Sequence, residues 1–416
     1  MKNLILFLLL ISSSLYSTAQ TIEKTEPDYI KTIEIKRQGS RESDYIFELG
    51  TKFTLSFDDL EADLKYYYYQ ITMCDFDWKP MNISDREYIR GYSNDRIRNE
   101  ENSFNTYQFY THYSVDFPNR QTQILRTGNY IISITDRDKN VIFTRRVILY
   151  EQRVSIEMIA KRSRNIQDRN KRQNIQFTIR HPDFVVNDPK TEIRTVLLQN
   201  DNFDFSINNL VPQYFRANEL IYKYLDETDF FGGNEFRMFD SKSMRAANVN
   251  IKKVEQGPDV FHTFLYTDTG RANKPYSTFE DVNGDFVIRT VDIDGNADLN
   301  ADYTWVFFSM LPSSDLGNSK VYVNGKFNNY ENNYLNEMRY NEKNGKYYAE
   351  ILLKQGFYNY QYVTIDENNN ISRHQIDGSH METENEYTLL VYYLRKGDRY
   401  QHVIGYQKIK TLNLQN

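Results

Sequence analysis

The sequence predicts an all-β protein: tandem immunoglobulin-like β-sandwiches with little helix. Three observations lead there. Apolar residues recur with period two, turn dipeptides follow at short intervals, and 34 of 416 residues are tyrosine, an amphipathic strand former. NIQFTIR (174–180) puts Ile175, Phe177 and Ile179 on one face. NYIISITD (129–136) does the same with Tyr130, Ile132 and Ile134, and YYAEILLK, TWVFFSML and TEIRTVLLQ behave alike. Alternation of this kind marks half-buried strands. Asn283-Gly284, Asp294-Gly295, Asn324-Gly325 and Asn344-Gly345 supply the turns. NLVPQYFRANELIYKYL (209–225) is the best helical stretch, and a weak one.

The chain begins MKNLILFLLLISSSLYSTAQ. A charged Lys2, an apolar run from Leu4 to Ile11 and the small residues before Gln20 read as a secretory signal peptide (1–19), cut after Ala19. The run is too short for the ~20 residues of a membrane-spanning helix. The mature protein is therefore expected to be soluble and exported, without an anchor of its own. Three blocks follow. They are an N-terminal sandwich (20–152), a middle one (153–312) and a C-terminal one (313–416), with PSSDLGNS after Leu311 as the linker. The polar stretch 77–106 in the first block is long for a compact domain, and such loops are usually functional.

Composition excludes several classes. The net charge of −6, from 57 acidic and 51 basic residues, argues against nucleic acid as a partner. The single cysteine, Cys74, can form no internal disulfide and reads as a small buried apolar side chain. Tyrosine abundance also suits a large partner-binding surface.

A search for chemistry finds no catalytic motif and no cofactor. The nucleophile elbow is absent, since Gly378-Ser379-His380 lacks the second glycine. The six histidines make no HExxH pair, and Gly232-Gly233 precedes no Lys-Ser/Thr. DIDGNADLNAD (292–302) spaces oxygen ligands like a calcium loop, but Leu299 and Trp305 stand where glycine and glutamate belong, so it reads as a solvated loop. KRSRNIQDRNKR (161–172) reads as a solvated hairpin or crossover, with an acidic partner as the alternative.

VYVNGKFNNY (321–330), followed by NGKYYAEILLKQGFYNYQYV, resembles early-set immunoglobulin-like sandwiches related to glycogen-binding modules. That resemblance makes Lys326, Asn328 and Tyr330 glycan-contact candidates. Glycan-binding members generally use two exposed tryptophans. Here Tyr330 takes the first place, and DENNNIS (366–372) has no aromatic for the second.

Three further stretches are DFDWKP with DREYIRGYSNDRIRNEENSFNTYQFYTHY (75–113), LLQNDNFDFSINNLVPQYFRANELIYKY with FFGGNEFRMFDSKSMR (197–245), and GSHMETENEYTLLVYYL (378–394) with RYQHVIGY. In this order they resemble the plug protein family of the type IX secretion system of Bacteroidetes. The resemblance implies a non-catalytic periplasmic protein that seals the periplasmic mouth of a very large outer-membrane β-barrel translocon when no cargo passes. Candidate partner contacts are Trp78, Lys79, Arg86, Tyr88 and Arg96 in the long loop, and Phe230 and Phe231 beside the glycines. A cap on a core and a structural bulge are the alternative readings of Trp78 and GGNEFR. The competing function is a periplasmic or surface glycan-binding module.

Overall fold

The computed structural model describes residues 23–183 and 185–411, and the expected signal peptide lies outside them. The described residues are almost entirely strand, arranged as three β-sandwiches.

The first sandwich pairs two sheets. One runs Ile30–Arg37, Phe53–Asp59, Thr111–Phe117, Asn99–Asn102. The other runs Ile46–Glu48, Val141–Tyr150, Gly128–Thr135, Tyr68–Cys74, Asn94–Arg96. Tyr130, Ile132 and Ile134 point into the core between them, as period two requires. The opposite face of the same strand is buried as well, with Ile131 6% exposed.

That second burial exists because another sheet lies against it. Ile131, Ile148, Cys74, Phe76 and Trp78 pack against Val196, Leu198, Leu390, Tyr392 and Val403 of the second sandwich. The strands they meet, Ile193–Gln199 and Glu386–Tyr393, are also buried on both faces. Leu197, Tyr387, Leu389 and Val391 turn the other way, into the second sandwich's own core. Two-sided burial explains why EYTLLVYY reads as a nearly continuous apolar run.

The expected division at 312/313 is not where the sheets divide. The second sandwich begins with Ser155–Arg162 and Arg172–Arg180, but one of its sheets is completed by Glu386–Tyr393 and His402–Lys410. The third sandwich is inserted between them. Its sheet runs from Arg237–Asp240 through Gly356–Ile365 and Tyr303–Leu311 to Ile251–Gln256, around one core. PSSDLGNS joins Tyr303–Leu311 to Lys320–Asn324 inside that sheet and links no domains. Alternation reveals strands but not their partners, because pairing is non-local.

Two local expectations change. Residues 209–225 form no helix. Tyr214–Arg216 and Glu219–Tyr222 make a hairpin around Ala217-Asn218, with Tyr214 opposite Ile221. The stretch 77–106 carries a 3-10 turn and three short strands. The basic run forms the hairpin joining Ser155–Arg162 to Arg172–Arg180, and 297–300 form a helical turn before Tyr303–Leu311.

Candidate functional site

Most of the expected contact residues turn inward. Trp78 sits at a corner where the Asp75 side chain accepts the N–H groups of Asp77 and Lys79, both at 2.9 Å. Its backbone is left-handed, with φ +62°, which aims the indole inward. There it is 3% exposed, edge-on to Phe203 and under the Arg146 guanidinium. Tyr88 is buried and donates to Asp85 at 2.9 Å. Arg96 is half-buried, bonded to Glu100 at 3.0 Å and stacked on Tyr66. Lys79 is half-buried, and Arg86 is exposed on the 3-10 turn. Phe230 packs on Tyr387 in the second core. Phe231 is half-buried and stacks with His374. Trp78 and Phe230 are thus core anchors, because folding two sheets face to face takes up their apolar area.

The glycan candidates are also displaced. Tyr330 is 7% exposed, and its hydroxyl donates to the Asn200 carbonyl at 3.1 Å. A ring so covered offers no flat face to a sugar. Lys326 reaches into the second sandwich, 3.3 Å from Asp201, which Lys408 also meets at 3.0 Å. Burial pushes the Asp201 carboxyl up, but Lys326, Lys408 and the Thr388 hydroxyl outweigh it and hold it well below the usual range. Asn328 stays local, donating to Val323 O and accepting from Gly325 N. The turn at 324–330 is therefore a corner where the sandwiches meet, beside a cavity of about 140 Å³.

The first and third sandwiches are joined by a buried polar cluster. Lys354, 1% exposed, lies 2.6 Å from Asp58, which is fully buried. His112 meets the other Asp58 oxygen at 2.7 Å, and the Tyr303 hydroxyl donates to Asp58 at 2.7 Å. Lys354 also donates to the Asp298 carbonyl at 2.6 Å and lies over the Tyr110 ring. Tyrosine is the common material of such places: 17 of the 34 are buried. The tyrosine count therefore records core and junction building more than an open binding surface.

What remains exposed was not singled out residue by residue in the sequence. Phe104 is 68% exposed and Phe109 64%, on a loop the third sandwich holds rigidly. Phe104 N donates to Leu299 O at 2.9 Å, Tyr107 N to Asp302 at 2.7 Å, and Tyr107 packs on Phe261. Tyr92 stands nearby in sequence, 64% exposed. The available signal was SFNTYQF, with aromatics three and then two positions apart among polar residues. Among the described residues, no group of three or more His, Cys, Asp or Glu gathers for a metal, and no helix is long and apolar enough to cross a membrane.

The first sandwich thus holds Phe104 and Phe109 out on a loop braced by the third. Residues 30–151, the first sandwich, match the family described as Type 9 secretion system plug protein 1st domain. That match bears out, for the first sandwich, the sequence resemblance to type IX secretion plug proteins, and it links the chain to type IX secretion. The whole architecture is similar to the crystal structure of a hypothetical protein from Parabacteroides merdae ATCC 43184. That likeness has a TM-score of 0.89 at 28% identity, covering 94% of this chain and 99% of the other. No curated protein matches the chain.

Proposed function

We propose that this chain is a non-catalytic periplasmic plug. It binds the periplasmic mouth of the large outer-membrane β-barrel translocon of the type IX system and closes it between export events. The observation that carries this reading is the family match of the first sandwich. The physical support is rigidity. A stopper must keep its shape, and here an apolar face joins the first two sandwiches while buried ion pairs tie the third to each of them. A partner surface also needs exposed anchors on a fixed scaffold. Phe104, Phe109 and Tyr92 meet that need better than Trp78 or Phe230. Arg86 is the exposed one among the contact candidates of the long loop.

The test is purification of the tagged protein from a native envelope in mild detergent. A giant outer-membrane barrel in near-equal amount is the expected companion. Phe104→Ser with Phe109→Ser is expected to reduce that yield about tenfold, the loss of one or two interface anchors, with stability changed by less than about 0.5 kcal/mol. Emergence of the protein alone, or with polysaccharide-handling proteins, overturns the reading.

A further inference from the structure

A cleft of about 350 Å³ opens where the second and third sandwiches meet. Its walls are largely apolar, with Phe205, Ile207, Phe231 and Ile371 among them. Arg373 stands in this wall. Its guanidinium stacks on Phe205 at 3.7 Å and donates one hydrogen bond, 2.7 Å, to the Gln199 side-chain oxygen. Gln199 is itself fixed, because its amide nitrogen donates to Phe231 O and to the Tyr387 hydroxyl, both at 2.9 Å.

Arg373 has no carboxylate within ion-pair distance among the described residues, unlike the other charged groups of this wall. Arg172 pairs with Asp168 at 3.2 Å. Asp377 is taken by Arg237 at 2.6 Å and Arg271 at 3.1 Å. Asp229 accepts from Asn174 at 2.7 Å and from Ser163. The remaining Arg373 nitrogens are not sealed inside the protein. A guanidinium carries five donors in a planar fork, so Arg373 keeps unused donors beside an apolar wall. Burial pushes its pKa down to about 10. Burial, and then the charges of Arg373, Arg172 and Lys171, also hold His374 below the usual imidazole range.

We propose that this cleft binds a carboxylate carried on an apolar or aromatic group, with Arg373 gripping the carboxylate and Phe205 and Phe231 flanking the apolar part. One uncommitted planar fork matches one planar monoanion. A phosphate dianion would leave a charge unmet against apolar walls. The volume is at the low end for small-molecule pockets of ~300–1,000 Å³, enough for one ring with its acid. The site is built for close approach: a Cβ on Gly232 would lie 2.0 Å from His380 O, so only glycine lets the chain pass along this wall.

The source of the carboxylate is either a small organic acid or the C-terminus of a polypeptide. Calorimetric titration of the mature chain separates them. The probes are 3-phenylpropionate, its neutral amide, inorganic phosphate, and a short peptide ending in phenylalanine with a free or amidated terminus. Saturable binding of an acid is expected, with its amide and the Arg373→Gln variant each about tenfold weaker or more, the loss of a charge-assisted pair. Tighter binding of the free peptide than of 3-phenylpropionate assigns a polypeptide terminus, and the reverse order assigns a free acid. If Arg373→Gln does not fold, the acid-against-amide comparison on the native chain decides. Equal binding of acid and amide overturns the proposal. So does tighter binding of phosphate, no binding of either acid, or an Arg373→Gln variant that binds like the native chain.

Discussion

The first sandwich meets its two neighbours in opposite ways. Against the second it presents Phe76, Trp78, Ile131 and Ile148, and receives Val196, Leu198, Leu390 and Tyr392. Against the third it buries Asp58 with Lys354, His112 and Tyr303. The apolar junction gains from area removed from water, about 1.5–3 kcal/mol for each fully buried large side chain, and tolerates small shifts. The ionic junction gains little net energy once desolvation is counted, but its geometry is strict and breaking one side is costly. One neighbour is held by strength and the other by register. The proposed plug needs both, since a slipped third sandwich would change its outline without unfolding it.

The largest effect is expected from breaking the ionic side alone. Lys354→Ala should destabilise by about 3–5 kcal/mol in urea unfolding, because Asp58 is left charged and buried. Lys354→Met with Asp58→Asn should recover most of that loss. If the double variant is no better than the single one, the pair is not what makes this junction costly to break.

Leu390→Ala, on the apolar side, should cost about 3 kcal/mol through lost transfer energy and the cavity left behind. The loss should be the same at pH 7 and pH 4, since burial raises the pKa of Cys74 and Tyr392 in that cluster and both stay protonated across this range.

Acid should separate the two junctions. Burial raises the Asp58 pKa, but Lys354 and His112 outweigh it and hold the carboxyl below its ordinary value. Its folded value therefore lies under the unfolded ~3.9. The stability it contributes is complete above about pH 4 and is lost as pH falls through the lower folded value. Melting followed from pH 6 to pH 2 should show this loss in the native chain and in Leu390→Ala, and a shallower one in Asp58→Asn. An equal acid slope in Asp58→Asn would assign the effect to other carboxylates.

The smallest expected change is at the edge of the ionic cluster. The Thr32 and Tyr303 hydroxyls lie 2.6 Å apart. Thr32→Val keeps the shape and removes one partner, for a cost of about 1 kcal/mol. Loss of more than about 3 kcal/mol would show that the hydroxyl organises the whole cluster.

The sequence by itself determined most strands, the all-β class and the family likeness of the first sandwich. Period two survives in local composition, so Tyr130, Ile132 and Ile134 could be placed on one face before any partner was known. Ordered family stretches pointed to plug proteins, and the first of them lies largely within the matched region. Only the tertiary structure decided which strands pair, which faces are covered twice and which aromatics stay outside. EYTLLVYY falls in the block expected as a third sandwich and is an inner strand of the second. Trp78 and Tyr330 looked like contact residues and are buried, whereas Phe104 and Phe109 drew no individual notice and stand in solvent. The physical reason is the same throughout. A residue's alternation is set by its immediate neighbours along the chain, but its burial is set by segments hundreds of residues away, as Lys354 is for Asp58.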